Sequence, residues 1–228
     1  MYTNIDSLTN KFHELETCVN HYKADIILIT ETLSKNNNNN FHDIFNMEGF
    51  NCIEENTGRG ICIFYKEELE INKHDNLCQL FQPSLFISIK SPSKNNTLNL
   101  GLIYRSPNSD KKENKKLNNQ INFASKKLKN LVIFGDFNHP SIDWEFFSCN
   151  KNEEHVDSLF LHEIIKSNTN QLIKCTTHHK PGCKPTLLDL IITKYPDIIS
   201  NIKHNPPIGK SHHDVITADI NFECVNTK

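Results

Sequence analysis

At 228 residues the chain is one large domain or two small ones, and its hydrophobic content of 37% is enough for a core but on the low side. A net charge of −2 gives no global basic signature, which counts against a duplex binder that relies on bulk charge and leaves local lysine clusters or a bound cation to do that work. No apolar stretch approaches a membrane span, and Met1-Tyr2-Thr3-Asn4 lacks the basic and apolar regions of a secretory leader.

In chain order, Asp6 or Ser7 is expected to cap a helix in which Leu8, Phe12, Leu15 and Val19 recur at helical spacing to about His21. Ala24 to Glu31 reads as a strand ending in a carboxylate, and Asn36 to Asn40 as part of a surface loop. Gly49 to Ile53 is a short strand, and Gly58-Arg59-Gly60 a turn into the strand Ile61 to Tyr65. Strands follow at Leu85 to Ile89 and Leu98 to Tyr104, separated by a turn from Ser91 to Asn96. A lysine-rich helix from about Lys112 to Lys129 keeps one basic, solvated face. Leu131-Val132-Ile133-Phe134 has the continuous apolar character of a strand buried on both faces; Gly135 is expected to break it, with Asp136 and Asn138 on one side beyond. A helix from Val156 to Ile165, a buried strand from Pro185 to Thr193 interrupted by Asp189, and a strand from Val215 to Ile220 complete the pattern. With no repeat and no linker, residues 1–228 read as a single domain of sheets packed face to face and covered by helices.

Eight cysteines occur without a CxxC pair, so they are read as reduced, buried small hydrophobes of an intracellular protein. Cys175, His178, His179 and Cys183 are residue types that suit zinc. Their spacing lacks the paired short intervals of structural sites, and Lys180-Pro181-Gly182 marks an ordinary loop.

Polar residues recur at the ends of apolar strands: Asn4, Glu31, Tyr104, Asp136, Asn138, His212 and His213. One such residue means little, but together they imply a shared rim. An oxygen cluster of Asp and Asn at the mouth of a buried strand suits a hard divalent cation and a phosphate.

The segments carrying these residues are Thr3 to Lys11, Ile29-Thr30-Glu31-Thr32, Gly101 to Ser109, Gly135-Asp136-Phe137-Asn138, Leu187-Leu188-Asp189-Leu190 and Gly209 to His213. In this order they resemble the endonuclease/exonuclease/phosphatase superfamily, and within it the apurinic-type endonuclease domain of non-LTR retrotransposons. The resemblance implies an α/β (α+β) DNase I-like fold, a four-layered sandwich of two packed mixed β-sheets flanked by helices. It also implies metal-assisted hydrolysis of a DNA phosphodiester that leaves a 3′-hydroxyl. Carried over residue by residue, Glu31 is the principal Mg2+ ligand, and Asn4 helps hold metal and phosphate. Asp136 positions or deprotonates the attacking water. Asn138 and Tyr104 contact the scissile phosphate. His213 stabilises charge in the transition state, and Asp189 orients and charges that imidazole. A carboxylate inside an apolar run needs a partner in any case, because burying it alone is costly. Asp6, Arg59 and Arg105 are read as structural or surface groups.

Two departures from the family pattern stand out. The last motif usually reads Ser-Asp-His, whereas this chain has Ser211-His212-His213. Imidazole at His212 is a poorer Mg2+ ligand and a better one for softer ions, which implies weaker use of Mg2+ and relatively better use of Mn2+. Strand alternation turns Asp214 the other way. Only three residues precede Asn4, so part of the first strand is expected to be missing. The partners implied are DNA and, in a full-length element, a reverse transcriptase domain, with no membrane, a monomeric state and an intracellular, nuclear location. A small-molecule phosphatase or phosphodiesterase of the same fold, and a catalytically silent nucleic-acid- or protein-binding remnant, are the competing readings.

Overall fold

The computed structural model describes residues 1–34, 45–90 and 97–222. The Asn36 to Asn40 run, the turn from Ser91 to Asn96 and Cys224 lie outside these residues. In chain order the elements are β1 (Tyr2–Asn4), α1 (Phe12–Tyr22), β2 (Ile26–Thr30), β3 (Phe50–Glu55), β4 (Ile61–Lys66), β5 (Ile71–Lys73), α2 (Asp75–Cys78), β6 (Ser84–Lys90), β7 (Thr97–Tyr104), α3 (Lys111–Lys127), β8 (Leu131–Asp136), β9 (Ile142–Asp143), β10 (Ser148–Cys149), α4 (Val156–Lys166), β11 (Asn170–Gln171), β12 (Asp189–Thr193), β13 (Ile199–Asn205) and β14 (Val215–Ile220).

Two six-stranded mixed sheets result, in the orders β13-β14-β1-β2-β4-β3 and β11-β12-β8-β7-β6-β5. Each holds one parallel pair near its centre, β1 with β2 and β7 with β8, and all other neighbours are antiparallel. A parallel pair needs a crossover, and α1 and α3 supply the two. Alternation then sorts the side chains. On β2 and β4, Leu28, Ile61 and Ile63 join the core shared with the second sheet, while Ile27, Ile29, Cys62 and Phe64 join Leu15 and Val19 of α1 in a second core. Phe137, His139, Trp144 and Phe160 pack as an aromatic group beside α4.

This topology makes a functional end. Because β1 and β2 run parallel, Asn4 and Thr30 are register partners; β7 and β8 likewise end together at Tyr104 and Asp136. β12 is antiparallel to β8, so its first residue, Asp189, faces Asp136. β14 is antiparallel to β1, so the residues just before it arrive at the same end.

Several local expectations are corrected. Gly135 does not break the strand: it is the fifth residue of β8. A Cβ there would stand 2.1 Å from the Ile103 carbonyl oxygen, so the residue is glycine because β7 lies against it. Asp6 and Ser7 do not cap α1. Both have left-handed backbones (φ 45° and 72°), and the helix begins at Phe12 after Lys11. The strand expected from Pro185 starts at Asp189, so the carboxylate sits at its mouth rather than in its interior. Cys62 and Cys78 are buried, but Cys175 and Cys183 are exposed.

Candidate active site

Five connected groups form the centre. Asn4 is fully buried, and its Nδ2 donates both to Glu31 Oε1 (3.1 Å) and to Asp136 Oδ2 (2.9 Å), so one amide spans two carboxylates from different sheets. Its Oδ1 accepts from the Asp6 backbone amide at 3.1 Å. Glu31 follows β2 with a left-handed backbone (φ 55°), which swings its side chain over the rim. The Tyr104 hydroxyl bonds to Glu31; burial, then the Glu31 and Asp136 carboxylates, hold that phenol well above the usual range and so protonated. Asn138 has φ 50°, its backbone N–H donates to Asp136 Oδ1 (3.1 Å), and its Nδ2 donates to the Arg105 carbonyl (2.8 Å). The strand alternation expected to carry it beside Asp136 therefore ends at Asp136, and a turn does the work instead.

Opposite stands a histidine–carboxylate pair. His213 Nδ1 donates to Asp189 Oδ2 at 2.7 Å, and His213 Nε2 lies 3.9 Å from Asp136 Oδ2. Asp189 is fully buried, accepts from the Tyr2 hydroxyl at 2.6 Å, and has its backbone N–H held by Thr177 Oγ1 at 3.0 Å. Burial pushes the Asp189 carboxyl up, but the imidazolium of His213 and the Thr177 and Tyr2 hydrogen bonds outweigh it and hold it below the usual carboxylate range. Burial likewise lowers His213, yet the charge and hydrogen bond of Asp189 raise it to about 9, so it is cationic at neutral pH. Asp136 goes the other way: burial first, then the Asp189 charge, push its carboxyl up to about 8. A second buried pair, His139 Nδ1 to Asp157 Oδ1 at 2.9 Å, has the opposite outcome, because burial dominates and lowers His139 to about 4.

Ser211 ties the last loop down, its Oγ donating to the Asn4 carbonyl (2.6 Å) and accepting from His213 N–H (3.2 Å). His212 does not join the central cluster: its ring is half-buried beside His178, 6.1 Å between centroids. Asp214 points away, to His204 Nδ1 (2.8 Å) and His179 Nε2 (3.3 Å). His179 is thus spent on Asp214, and His178 packs on His213 at 4.7 Å, so the Cys175–Cys183 stretch is a loop bracing the site.

Sequence reasoning missed three contributors. Arg59, read as structural or surface, places Nη2 2.8 Å from Glu31 Oε2 and 2.7 Å from Asp6 Oδ1. Tyr2 and Thr177 both support Asp189. Tyr2 had a legible signal, since a phenol alternating with Asn4 on a buried strand needs a partner. Arg105 is buried as expected of a structural group, bonding the carbonyls of Phe137 (3.3 Å) and Asn138 (2.8 Å).

The donor chemistry fits a hard divalent cation. Glu31 and Asp136 bring carboxylate oxygens to one amide, and burial, then the Asp189 charge, raise the Asp136 carboxyl, a cost that a cation at these oxygens would relieve. Among the described residues, Asp136, Asp189 and His213 have ligand atoms within 4.8 Å of one another. His213 is a poor ligand there, because its Nδ1 is engaged and a protonated imidazole offers no lone pair. The oxygen donors of Glu31 and Asp136 are the better seat.

A family model described as "Endonuclease-reverse transcriptase" matches residues 98–217, more than half of the chain. The chain belongs to the endonuclease/exonuclease/phosphatase superfamily. No curated protein sequence matches it. Solved structures share the superfamily's DNase I-like sandwich. The endonuclease domain of TRAS1, a telomere-specific non-LTR retrotransposon, superposes with a TM-score of 0.75 at 14% identity, covering 97% of this chain and 98% of that one. The 3′-5′ exonuclease NExo from Neisseria meningitidis gives 0.67 at 13%, covering 97% and 99%. An AP endonuclease from Archaeoglobus fulgidus gives 0.64 at 16%, covering 96% and 98%. Among the described residues no helix is long and apolar enough to cross a membrane.

Proposed function

We propose that this chain is a single-domain, divalent-metal-dependent endonuclease that nicks DNA, of the kind carried by non-LTR retrotransposons. The observation that carries the reading is the Asn4 amide shared between Glu31 and Asp136, with the His213–Asp189 pair 3.9 Å from Asp136. This is the equipment for in-line attack on a phosphodiester: an oxygen seat for a cation, a base, and a fixed positive charge across from both.

Glu31, with Asp136 beside it, would hold Mg2+ or Mn2+, which when bound supplies Lewis-acid charge at a phosphate oxygen. Asp136 takes the proton of the attacking water as the water oxygen bonds to phosphorus. His213, kept cationic by Asp189, faces the charge that builds on the phosphorus oxygens. The bond from phosphorus to the 3′-oxygen breaks, that oxygen takes a proton from water to leave as a 3′-hydroxyl, and the proton on Asp136 returns to solvent. Tyr104 donates a hydrogen bond from a phenol that stays protonated, and the second amide hydrogen of Asn138 serves the same phosphate. Asn4 acts through its neighbours, holding Glu31 and Asp136 at a fixed separation, since its oxygen is already taken by Asp6. A monomer acting on DNA in the nucleus, joined to a reverse transcriptase domain in a full-length element, completes the reading.

The test is relaxation of supercoiled plasmid in Mn2+ or Mg2+, run beside phosphate release from small phosphomonoesters. Nicking that vanishes with chelator and in Glu31→Ala supports the proposal. Phosphate release without nicking moves the assignment to a small-molecule phosphatase. DNA binding with neither activity makes the chain a silent binding module.

A further inference from the structure

The Gly58-Arg59-Gly60 turn is built into the rim. Gly60 has φ 69°, and a Cβ there would lie 2.5 Å from Thr32 Oγ1 and 2.7 Å from Leu33 Cγ, so the turn presses on the segment that follows Glu31. Thr32 N–H donates to the Gly60 carbonyl (3.2 Å), and Leu33 N–H to the Arg59 carbonyl (2.8 Å). The guanidinium is anchored twice without Glu31: Nε donates to the Leu33 carbonyl at 3.1 Å and Nη2 to Asp6 Oδ1 at 2.7 Å. Its third contact is Nη2 to Glu31 Oε2 at 2.8 Å. The Arg59 and Glu31 side chains are only 18% and 14% exposed, so water screens this contact little. Lys11, another cation on this side of Glu31, spends its ammonium on the carbonyls of Ile5 and Asp6.

We propose that Arg59 is a resident cation that competes with the divalent ion for Glu31, holding the carboxylate in place until metal arrives and yielding it while staying docked on Asp6 and the Leu33 carbonyl. The idea rests on Glu31 being the metal ligand. Arg59 is therefore a positioning residue that lowers metal affinity: its charge repels the incoming ion, and its N–H occupies one of the two oxygens the ion needs. A neutral side chain at the same place keeps much of the geometry and removes the competitor.

The test is Mn2+ binding to the whole protein, read from the free-ion electron paramagnetic resonance signal, with no DNA and no turnover. Arg59→Gln is expected to bind Mn2+ about tenfold more tightly than wild type, a gain of about 1.4 kcal/mol. Arg59→Lys, which keeps the charge, is expected to stay within about twofold of wild type. Circular dichroism confirms folding of each variant. Equal or weaker binding by a folded Arg59→Gln overturns the proposal, as does Arg59→Lys matching the gain of Arg59→Gln, because charge would then not be the cause. Glu31→Gln separates the two layers: if it leaves Mn2+ binding unchanged, the placement of the metal at Glu31 fails; if it abolishes binding while Arg59→Gln gains nothing, only the competitor role fails.

Discussion

Asp189→Asn removes a charge while keeping shape, and its effect on His213 follows from the structure. Burial alone lowers that imidazole, and the value of about 9 exists because the Asp189 carboxylate 2.7 Å away more than offsets it. Without that carboxylate the pKa is expected to fall to the ordinary 6.5 or lower. At about 1.36 kcal/mol per pH unit, a fall of this size is worth about 3 kcal/mol. The sign is fixed: a folded pKa above the unfolded one gives stability that is full below pH 6.5 and lost as pH rises through 9. Wild type should thus exceed the variant in unfolding free energy by about 3 kcal/mol at pH 6 from this source, and the gap should narrow above pH 9. Imidazole chemical shifts titrated by NMR give the pKa directly, and urea unfolding at pH 6 and pH 9.5 gives the free energies. A folded variant whose His213 still titrates near 9 would refute the pairing argument.

Three further outcomes are expected. Tyr2→Phe removes the 2.6 Å donor to a fully buried carboxylate and should cost about 1–3 kcal/mol in urea unfolding with little change in spectrum; no measurable loss would mean Thr177 and His213 suffice. Gly135→Ala forces a methyl to 2.1 Å from the Ile103 carbonyl and should destabilise by about 3 kcal/mol or more, or yield insoluble protein; a near-native melting temperature would contradict the packing of β7 on β8. His212→Asp should leave the ratio of Mg2+- to Mn2+-supported plasmid nicking unchanged, because the ring sits beside His178 and outside the Asn4–Glu31–Asp136 cluster; a shifted ratio would return residue 212 to the account of metal preference.

Strands that are buried on both faces were legible, because unbroken apolar runs such as Leu131 to Phe134 leave few alternatives. Their polar ends were legible for the same reason: Glu31, Tyr104 and Asp136 interrupt a pattern that packing would otherwise continue. What escaped was decided by partners distant in sequence. β13 buries only one of its seven residues, and its pairing shifts register between Ser200 and Lys203, so it lacks the apolar run that marks the central strands. The start of α1 was misplaced because Asp6 looks like a cap, yet Arg59, 53 residues away, takes its carboxylate. Arg59 carried no local mark of its place beside Glu31, since a Gly-Arg-Gly turn is ordinary until the fold sets it there.

Residues 2 and 189 share a hydrogen bond, and residues 4 and 136 share another, so both sheets must dock before any of the cluster exists. Such distant pairings close late and slowly. The assembly is therefore an all-or-none device: a nascent or clipped chain lacking either half of the sandwich has no cluster at all, and any chemistry that resides there would vanish together with the fold.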